Sequence, residues 1–284
     1  MKRGLRDGLV SFSFLFPAAL LFFLFVLLPF CQGIPMAFFQ WDGFSRQRTW
    51  VGPGNFLTMT GDGALLASLG RTLEFSCYSV ILSNLIGLFF ALLIHRKSRF
   101  HAVLRTVFFM PFVISLVLSA FIWSYLYSDV LYRFFRIPSP LGSTRWVILG
   151  LAVISIWRDS GYCMVIYIAA LQSVPVEFYE AARIEGAGAA RTFLSISVPM
   201  IMPAFTANAT LLLAWGLKVF DYPMAATNGG PGRSSETLAL FVYNNIFNFY
   251  KAGYGQAVAL VFTLFIFLAS FLITRTLRGL EVDL

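Results

Sequence analysis

The chain has few of the side chains that perform covalent chemistry or bind metals. It contains two histidines and three cysteines, and none of them shows the paired spacing of a disulfide framework or a zinc site. No nucleophile elbow and no pair of acids suited to catalysis is present. The sequence therefore predicts a protein that is not an enzyme and that holds no metal. The residues concerned are His95, His101, Cys31, Cys77 and Cys163.

Lysine is also scarce, and the positions of the lysines exclude one mechanism of ATP binding. A phosphate-binding loop places its lysine between glycine and serine or threonine, where backbone amides and the ammonium group hold the phosphates. No lysine of this chain has those neighbours, so the chain is not expected to bind ATP in this way. The lysines are Lys2, Lys97, Lys218 and Lys251.

Charged residues make up only 12% of the chain, whereas 58% are hydrophobic and the mean hydropathy is +0.78. No soluble domain needs so much apolar surface. The net charge of +8 fits cytoplasmic loops and anionic lipid head groups and does not indicate nucleic-acid binding. The composition predicts an all-α, polytopic membrane protein in contact with lipid.

Six apolar windows are long enough to cross a hydrocarbon core of about 30 Å, which takes about 20 helical residues. The first is not interpreted as a signal peptide, because its apolar region is too long and no small-residue cleavage site follows. An even number of spans places both termini on one side of the membrane. The predicted spans are Phe12–Phe30, Leu73–Ile94, Val107–Leu126, Val147–Leu171, Met200–Phe220 and Ala257–Ile273.

Basic residues predict which side that is. Eleven lie on the side of the termini and eight in the opposite, longer loops, so their density is higher on the terminal side. Both termini are therefore expected in the cytoplasm. The eleven are Lys2, Arg3, Arg6, Arg96, Lys97, Arg99, Arg105, Arg183, Arg191, Arg275 and Arg278.

The connection between the fourth and fifth spans is unusually long and has a helical composition. Pro175 suits the first turn of a helix, and acids in the opening turns are favoured by the helix dipole. Gly186 and Gly188 then end the helix, and Pro199 opens the next span. The segment is predicted to be a short surface helix whose small alanines fit closely into a partner's groove.

This segment resembles the EAA loop of permease subunits from bacterial ABC importers. The family pattern is Glu-Ala-Ala, three residues, Gly, nine residues, Ile, one residue, Leu and Pro. Two positions differ conservatively, since Val198 replaces the leucine and Glu185 replaces the aspartate common before the glycine. The resemblance implies that a separate ATPase moves the membrane domain through this loop. The matching residues are Glu180, Ala181, Ala182, Gly186, Ile196 and Pro199.

Further motifs resemble the carbohydrate-uptake branch of that family, which includes maltose, multi-sugar and glycerol-phosphate permeases. The resemblance implies a type I importer of six spans with a second, homologous permease, two ATPases that bind ATP and magnesium, and an extracellular sugar-binding protein. It divides the chain into an N-terminal segment at 1–72, a transport core at 73–276 with the EAA loop at 174–199, and a cytoplasmic tail at 277–284. The motifs are Trp41–Phe44, Val51–Phe56, Arg105–Phe112, Ser155–Trp157, Ala169–Pro175, Thr227–Gly232 and Glu236–Leu238.

Arg158 and Asp159 are charges near the middle of the fourth predicted span. An intramembrane charge is a functional-site hypothesis by default. Two interpretations remain open: Arg158 binds an anionic substrate such as a glycerol phosphate, or it is a buried charge that is satisfied by the partner permease or neutralises a carboxylate such as Asp159. Lys218 lies near the outer end of its span, where a lysine side chain can snorkel towards water.

The resemblance also implies where a sugar is bound, because family members bind it in the middle of the third, fourth and fifth spans. Aromatic rings there would stack on pyranose faces, and Ser155 and Asp159 would accept hydroxyl hydrogen bonds. Helix packing is the alternative role of each ring. The predicted substrate pathway consists of Phe112, Ser155, Trp157, Arg158, Asp159, Tyr162, Trp215 and Gly216.

Two other function classes are weighed against an importer subunit. A stand-alone secondary transporter would not need the EAA spacing and is expected to show inverted internal repeats, which are not visible. A membrane-embedded enzyme is expected to show clustered acids or a histidine site. The sequence identifies neither the sugar nor which of the two permeases holds its site.

Overall fold

The structure is a computed structural model that describes the backbone of residues 2–96 and 98–281 and the side chains of residues 12–96 and 98–281. Residue 1 of the predicted N-terminal segment, Lys97 of the predicted inner loop and residues 282–284 of the predicted tail lie outside the described residues. The side chains of Lys2, Arg3 and Arg6, which support the predicted orientation, lie outside them too.

Helices account for nearly all the regular structure of the described chain, and the two strands are two residues each. Short π-helical turns, such as Phe23–Leu27, interrupt several helices without ending them. The helices are α1 (Lys2–Phe22), α2 (Leu28–Met36), α3 (Gly54–Met59), α4 (Gly63–Ile94), α5 (Arg99–Val113), α6 (Leu116–Tyr125), α7 (Tyr132–Phe135), α8 (Val147–Ser173), α9 (Val176–Ile184), α10 (Ala189–Thr192), α11 (Val198–Met200), α12 (Met202–Leu217), α13 (Asp221–Thr227), α14 (Leu238–Tyr243) and α15 (Ala252–Arg278).

Six membrane spans follow from these helices when bent pairs are counted as one span each. Four stretches of the described chain are long and apolar enough alone, and two pairs meet the criterion only together. The single spans are Phe12–Met36, Gly63–Ile94, Val147–Ser173 and Ala252–Arg278. The pairs are Arg99–Val113 with Leu116–Phe135, bent by 99°, and Ala189–Met200 with Met202–Leu217, bent by 61°.

The third predicted span, Val107–Leu126, is therefore not one straight helix. Pro111 lacks an N–H for the helix ladder and disfavours helix continuation. Ile114 is extended, and the Ser115 hydroxyl accepts a hydrogen bond from the Leu118 N–H, which starts α6. The side-chain cap at Ser115, together with Pro111, thus outweighs the continuous apolar composition of the segment.

The fifth predicted span, Met200–Phe220, is also broken near its start. Pro199 lies in the three-residue helix α11, and Ile201 separates that helix from α12. Pro203, in the first turn of α12, suits a helix start because the N–H it lacks would have no partner there. Pro199 therefore precedes the main span helix and does not open it.

The chain divides into two compact units, of which the first runs to Asp62 and includes Val242–Phe262. In this unit a two-stranded hairpin pairs Phe39 with Trp50. The Asn55 amide donates to the carbonyl oxygens of Ala37 and Phe39 at 2.8 and 2.9 Å, which fixes the hairpin to α3. The motif residue Asn55 therefore has a structural role here.

The hairpin loop is held by Asp42. Its carboxylate accepts hydrogen bonds from the backbone N–H groups of Phe44 and Ser45 at 2.9 and 2.8 Å. These donors hold the pKa of Asp42 below its ordinary value. A depressed pKa means that the folded loop prefers the ionised carboxylate. The stabilisation of the loop by these hydrogen bonds is therefore lost as the pH falls through the folded-state pKa of Asp42.

The second unit comprises Gly63–Phe241 and the residues from Thr263 onward. Its helices approach closely because glycines lie at the crossings. A Cβ at Gly161 of α8 would overlap the Phe108 carbonyl group of α5, and a Cβ at Gly216 of α12 would meet Ser76 of α4 at 2.9 Å. Small residues at such crossings let membrane helices pack backbone to backbone. This packing brings the ends of several helices around one cavity.

Candidate functional site

A cavity of about 310 Å³ lies within the second unit, where α4, α5, α6, α8, α12 and the start of α13 converge. Ligand pockets of this size typically combine apolar walls with a few polar groups. The walls here do so, with four charged side chains among aromatic and aliphatic ones. The lining residues are Phe75, Phe112, Leu116, Ser155, Arg158, Asp159, Trp215, Gly216, Lys218, Val219, Asp221 and Tyr222.

A chain of hydrogen bonds forms the polar wall of this cavity. The Ser155 hydroxyl donates to Asp159 Oδ2 at 2.7 Å, and Arg158 Nη1 donates to Asp159 Oδ1 at 2.7 Å. Ser79 of α4 lies 2.8 Å from the Ser155 oxygen. Because Ser155 gives its proton to the carboxylate, Ser79 must be the donor to Ser155. The carboxylate is thus bonded on both oxygens.

Arg158 makes two further contacts that keep it against the wall. Its guanidinium carbon lies 4.5 Å from the centre of the Phe112 ring, a cation–π distance, and its Nε donates to the Ile114 carbonyl oxygen at 3.4 Å. The Arg158 side chain is only 15% exposed and the Asp159 side chain 5%. The cation is therefore already compensated when no ligand is present.

The Phe112 ring also packs with two other aromatic rings, those of Tyr162 and Trp215. The Tyr162 ring stacks on Phe112 with centroids 4.9 Å apart, and the Trp215 ring lies 5.5 Å from Tyr162 and 6.1 Å from Phe112. Trp157 is not part of this group, since its ring meets Trp123 edge-on at 5.8 Å. The rings of α5, α8 and α12 thus form one aromatic surface next to the charged pair.

Six of the eight predicted pathway residues line the cavity, namely Phe112, Ser155, Arg158, Asp159, Trp215 and Gly216. Tyr162 reaches the site through its ring contacts, whereas Trp157 packs between helices. Lys218 also lines the cavity, and its charge inside a predicted span was the signal that could have placed it there. No charge within a predicted span pointed to Phe75, Asp221 or Tyr222. These residues lie in α4 and α13, and only the fold brings those helices to the cavity.

The Tyr222 hydroxyl is buried and has no hydrogen-bond partner among the described residues. Burial raises the pKa of this hydroxyl and the nearby Asp159 carboxylate raises it further, whereas the nearby Arg158 guanidinium lowers it by a smaller amount. The group is therefore protonated at neutral pH. Arg158, its cationic neighbour, has only donors and cannot accept that proton.

The predicted EAA helix is present as α9. Of the six motif residues, Glu180, Ala181 and Gly186 are exposed, Ala182 is buried, and Ile196 and Pro199 are half-buried. Pro175 precedes its first residue, Glu177 lies in its first turn and Arg183 in its last, as the helix dipole favours. Gly186 follows with φ of +71°, a left-handed conformation that side chains rarely adopt. Exposed Val176, Phe178 and Ile184, together with exposed Glu180 and Ala181, form an unpartnered surface, whereas Ala182 is buried.

Comparisons with known proteins identify the family of the chain. The family model described as "Binding-protein-dependent transport system inner membrane component" matches residues 83–281. The probable starch degradation products transport system permease protein AmyD of Thermoanaerobacterium thermosulfurigenes is 30% identical, over 98% of this chain and 97% of that protein. The multiple sugar-binding transport system permease protein MsmF of Streptococcus mutans is 28% identical, over 96% of each.

A solved structure also shares the fold. A chain from a bacterial ABC transporter involved in the import of the acidic polysaccharide alginate superposes with a TM-score of 0.81 at 18% identity, over 98% of each chain. A second structure, of a bacterial alginate ABC transporter with an alginate pentasaccharide-bound periplasmic protein, gives 0.77 at 20% identity. At these identities the likeness shows the fold alone.

The fold is that of a type I ABC importer transmembrane domain, and the chain belongs to the family of binding-protein-dependent transport system inner membrane components. The predicted family and the predicted six-span helical fold are confirmed. The roles of the EAA and cavity residues stay predictions.

Proposed function

We propose that this chain is the permease subunit of an ATP-driven importer that moves a sugar or oligosaccharide across the bacterial inner membrane by alternating access. The observation that carries the proposal is α9, an exposed helix with the EAA residues at the family spacing. Its partners are then a homologous permease, two ATPases that bind ATP and magnesium, and an extracellular sugar-binding protein. The chain itself needs no cofactor.

The cavity supports a sugar as the substrate class. Sugars present apolar ring faces and many hydroxyl groups, and the wall offers the aromatic rings of Phe112 and Trp215 beside the oxygens of Ser155 and Asp159. The names of the relatives AmyD and MsmF refer to starch degradation products and to multiple sugars. Both considerations favour a carbohydrate.

The charges of the cavity favour a neutral sugar over a glycerol-phosphate-type anion. The wall holds two cations, Arg158 and Lys218, and two carboxylates, Asp159 and Asp221. Arg158 is already bonded to Asp159, so an anion would have to compete with a carboxylate for it. A neutral hydroxyl compound meets no such competition.

Coupling follows from the continuity of the helices. The chain passes from α8, which carries Ser155 and Asp159, through Val174-Pro175 directly into α9. When ATP draws the two ATPases together, a displacement of α9 is transmitted to α8 as a rigid-body movement. The cavity then alternates between the two sides of the membrane, and no covalent step occurs in this chain.

Uptake into proteoliposomes that contain the complete complex tests the proposal. The panel consists of radiolabelled maltose, maltotriose, trehalose, glucose and glycerol 3-phosphate, each with the sugar-binding protein. We expect uptake of at least one neutral sugar, and none when the partner ATPases carry an inactivating substitution in their phosphate loop. Ion-driven uptake by the permease without ATPases would instead identify a secondary transporter, and uptake of glycerol 3-phosphate alone would identify an anion importer.

A further inference from the structure

Three helices meet at one short stretch of backbone, residues 94–96, where α4 ends. A helix leaves its last carbonyl groups without intrahelical partners, and a cation there is favoured by the helix dipole. The Arg105 guanidinium of α5 donates to all three carbonyl oxygens of this stretch. The distances are 3.0 and 3.2 Å to Ile94, 3.2 Å to His95 and 2.8 Å to Arg96. One side chain thus caps α4 and ties α5 to it.

Gln172 brings a third helix to the same stretch. It lies in the last turn of α8, and its Nε2 donates to the His95 carbonyl oxygen at 2.8 Å. One turn later the chain enters α9, the EAA helix. The end of α4 is therefore held by α5 through Arg105 and by α8 through Gln172.

From Arg105, one face of α5 leads to the cavity. Phe108 and Phe112 lie three and seven residues further on, which is the spacing of one helix face. The Phe108 carbonyl group packs against Gly161 of α8 so closely that a side chain there would overlap it. Phe112 lines the cavity, about 10 Å along the axis from Arg105. Arg105 thus fixes one part of α5, and Phe112 near the end of the same helix forms a wall of the cavity.

We propose that Arg105 is a positioning residue that makes α5 follow α8 when the EAA helix moves. The inference rests on the proposed coupling through the EAA loop. A displacement of α9 moves the end of α8, and through Gln172 and Arg105 the end of α4 and the whole of α5 move with it. The wall at Phe112 then stays aligned with Ser155 and Asp159 during the transition. The guanidinium suits this position better than a lysine would, because its Nε adds a second donor to the Ile94 carbonyl oxygen beside the three contacts of Nη2.

The test is the number of sugar molecules imported per ATP hydrolysed, measured in proteoliposomes with the transported sugar of the panel. We expect this ratio to fall about tenfold in Arg105→Gln, a typical coupling effect between sites, and by less in Arg105→Lys and Gln172→Ala. Arg99→Gln is the matched control, because Arg99 is an exposed arginine in the first turn of the same helix. Its ratio is expected to equal that of the wild type.

A merely structural role predicts a different pattern. Uptake and ATP hydrolysis would then fall together with the yield of folded complex, and the ratio would stay unchanged in all variants, which would overturn the inference. Failure of both Arg105 variants to assemble, with an unchanged ratio in Gln172→Ala, would overturn it as well. Glu180→Lys is measured beside them: if it leaves the ratio unchanged, the EAA coupling itself is wrong, whereas loss in Glu180→Lys alone contradicts only the role of Arg105.

Discussion

Arg158 and Asp159 are adjacent in sequence, so their Cβ atoms point about 100° apart around the helix. Their side chains nevertheless meet at 2.7 Å, because the long arginine side chain turns back along the wall of the cavity. Ser155, one turn earlier, and Ser79 on α4 complete the bonding of the carboxylate. Of the two interpretations open from the sequence, this geometry favours the neutralised charge.

Arg158→Gln is expected to destabilise the complex by about 3 kcal/mol, because the change leaves the Asp159 carboxylate buried without its cation. The double variant with Asp159→Asn should recover most of that loss, since neither charge then remains. Thermal unfolding of the purified complex, measured beside uptake, distinguishes the outcomes. A single variant that is as stable as the wild type but no longer transports an anionic substrate would show that Arg158 binds that substrate.

Tyr222 and Tyr127 form a matched pair of buried tyrosines, each 4% exposed. The Tyr127 hydroxyl donates to the Gly150 carbonyl oxygen at 3.0 Å, whereas the Tyr222 hydroxyl lacks a partner among the residues described. We expect Tyr127→Phe to cost about 1 kcal/mol and Tyr222→Phe to be neutral or stabilising, because only the first loses a hydrogen bond. Equal destabilisation by thermal unfolding would indicate that a bound water or partner satisfies Tyr222.

At the scale of elements, α9 ends as its sequence predicts. Gly186 adopts a positive φ and no other atom lies near the position of a Cβ, so the conformation and not crowding requires glycine there. The Glu180 side chain is exposed at the predicted interface with the ATPase. A substitution at either position is therefore expected to act on coupling more than on folding of the spans.

Glu180→Lys and Gly186→Arg should each abolish uptake while the permease still inserts into the membrane. The first reverses a charge on the exposed face, and the second places a bulky cation in a strained turn. Gly186→Asn is the control, because asparagine tolerates the left-handed conformation better, and it should retain part of the uptake. The measurements are transport in vesicles and recovery of the ATPase on pull-down; normal transport in both main variants would contradict the coupling assignment.

For the whole molecule, the six spans and the distribution of arginines predict that both termini are cytoplasmic. A fluorescent protein fused to either terminus should therefore fold and fluoresce in the bacterial cell, and alkaline phosphatase fused there should be inactive. A fusion within the outer loop near residue 140 serves as the control with the opposite pattern. Active phosphatase at one terminus only would require an odd number of spans.

The sequence by itself determined the class, the number of spans and the EAA helix. These features depend on local quantities: an apolar length against the membrane thickness, a proline and an acid in a first turn, and a glycine after the last. The family match at 83–281 covers the EAA helix and, in full, four of the six predicted spans. Of the six predicted residues that line the cavity, the local signal of an intramembrane charge pointed to Arg158 and Asp159, and the resemblance supplied the other four.

Only the tertiary structure decided the pairing of Arg158 and the contacts of Arg105 with the end of α4. The break at Ile114 has local causes, Pro111 and the side-chain cap at Ser115, but a hydropathy pattern alone does not contain them. The Arg158 pair depends on Ser79 from another helix, and Tyr222 reaches the cavity from α13. A cavity is the intersection of several helices, so its members are fixed by glycine-mediated packing between segments that lie far apart in the chain.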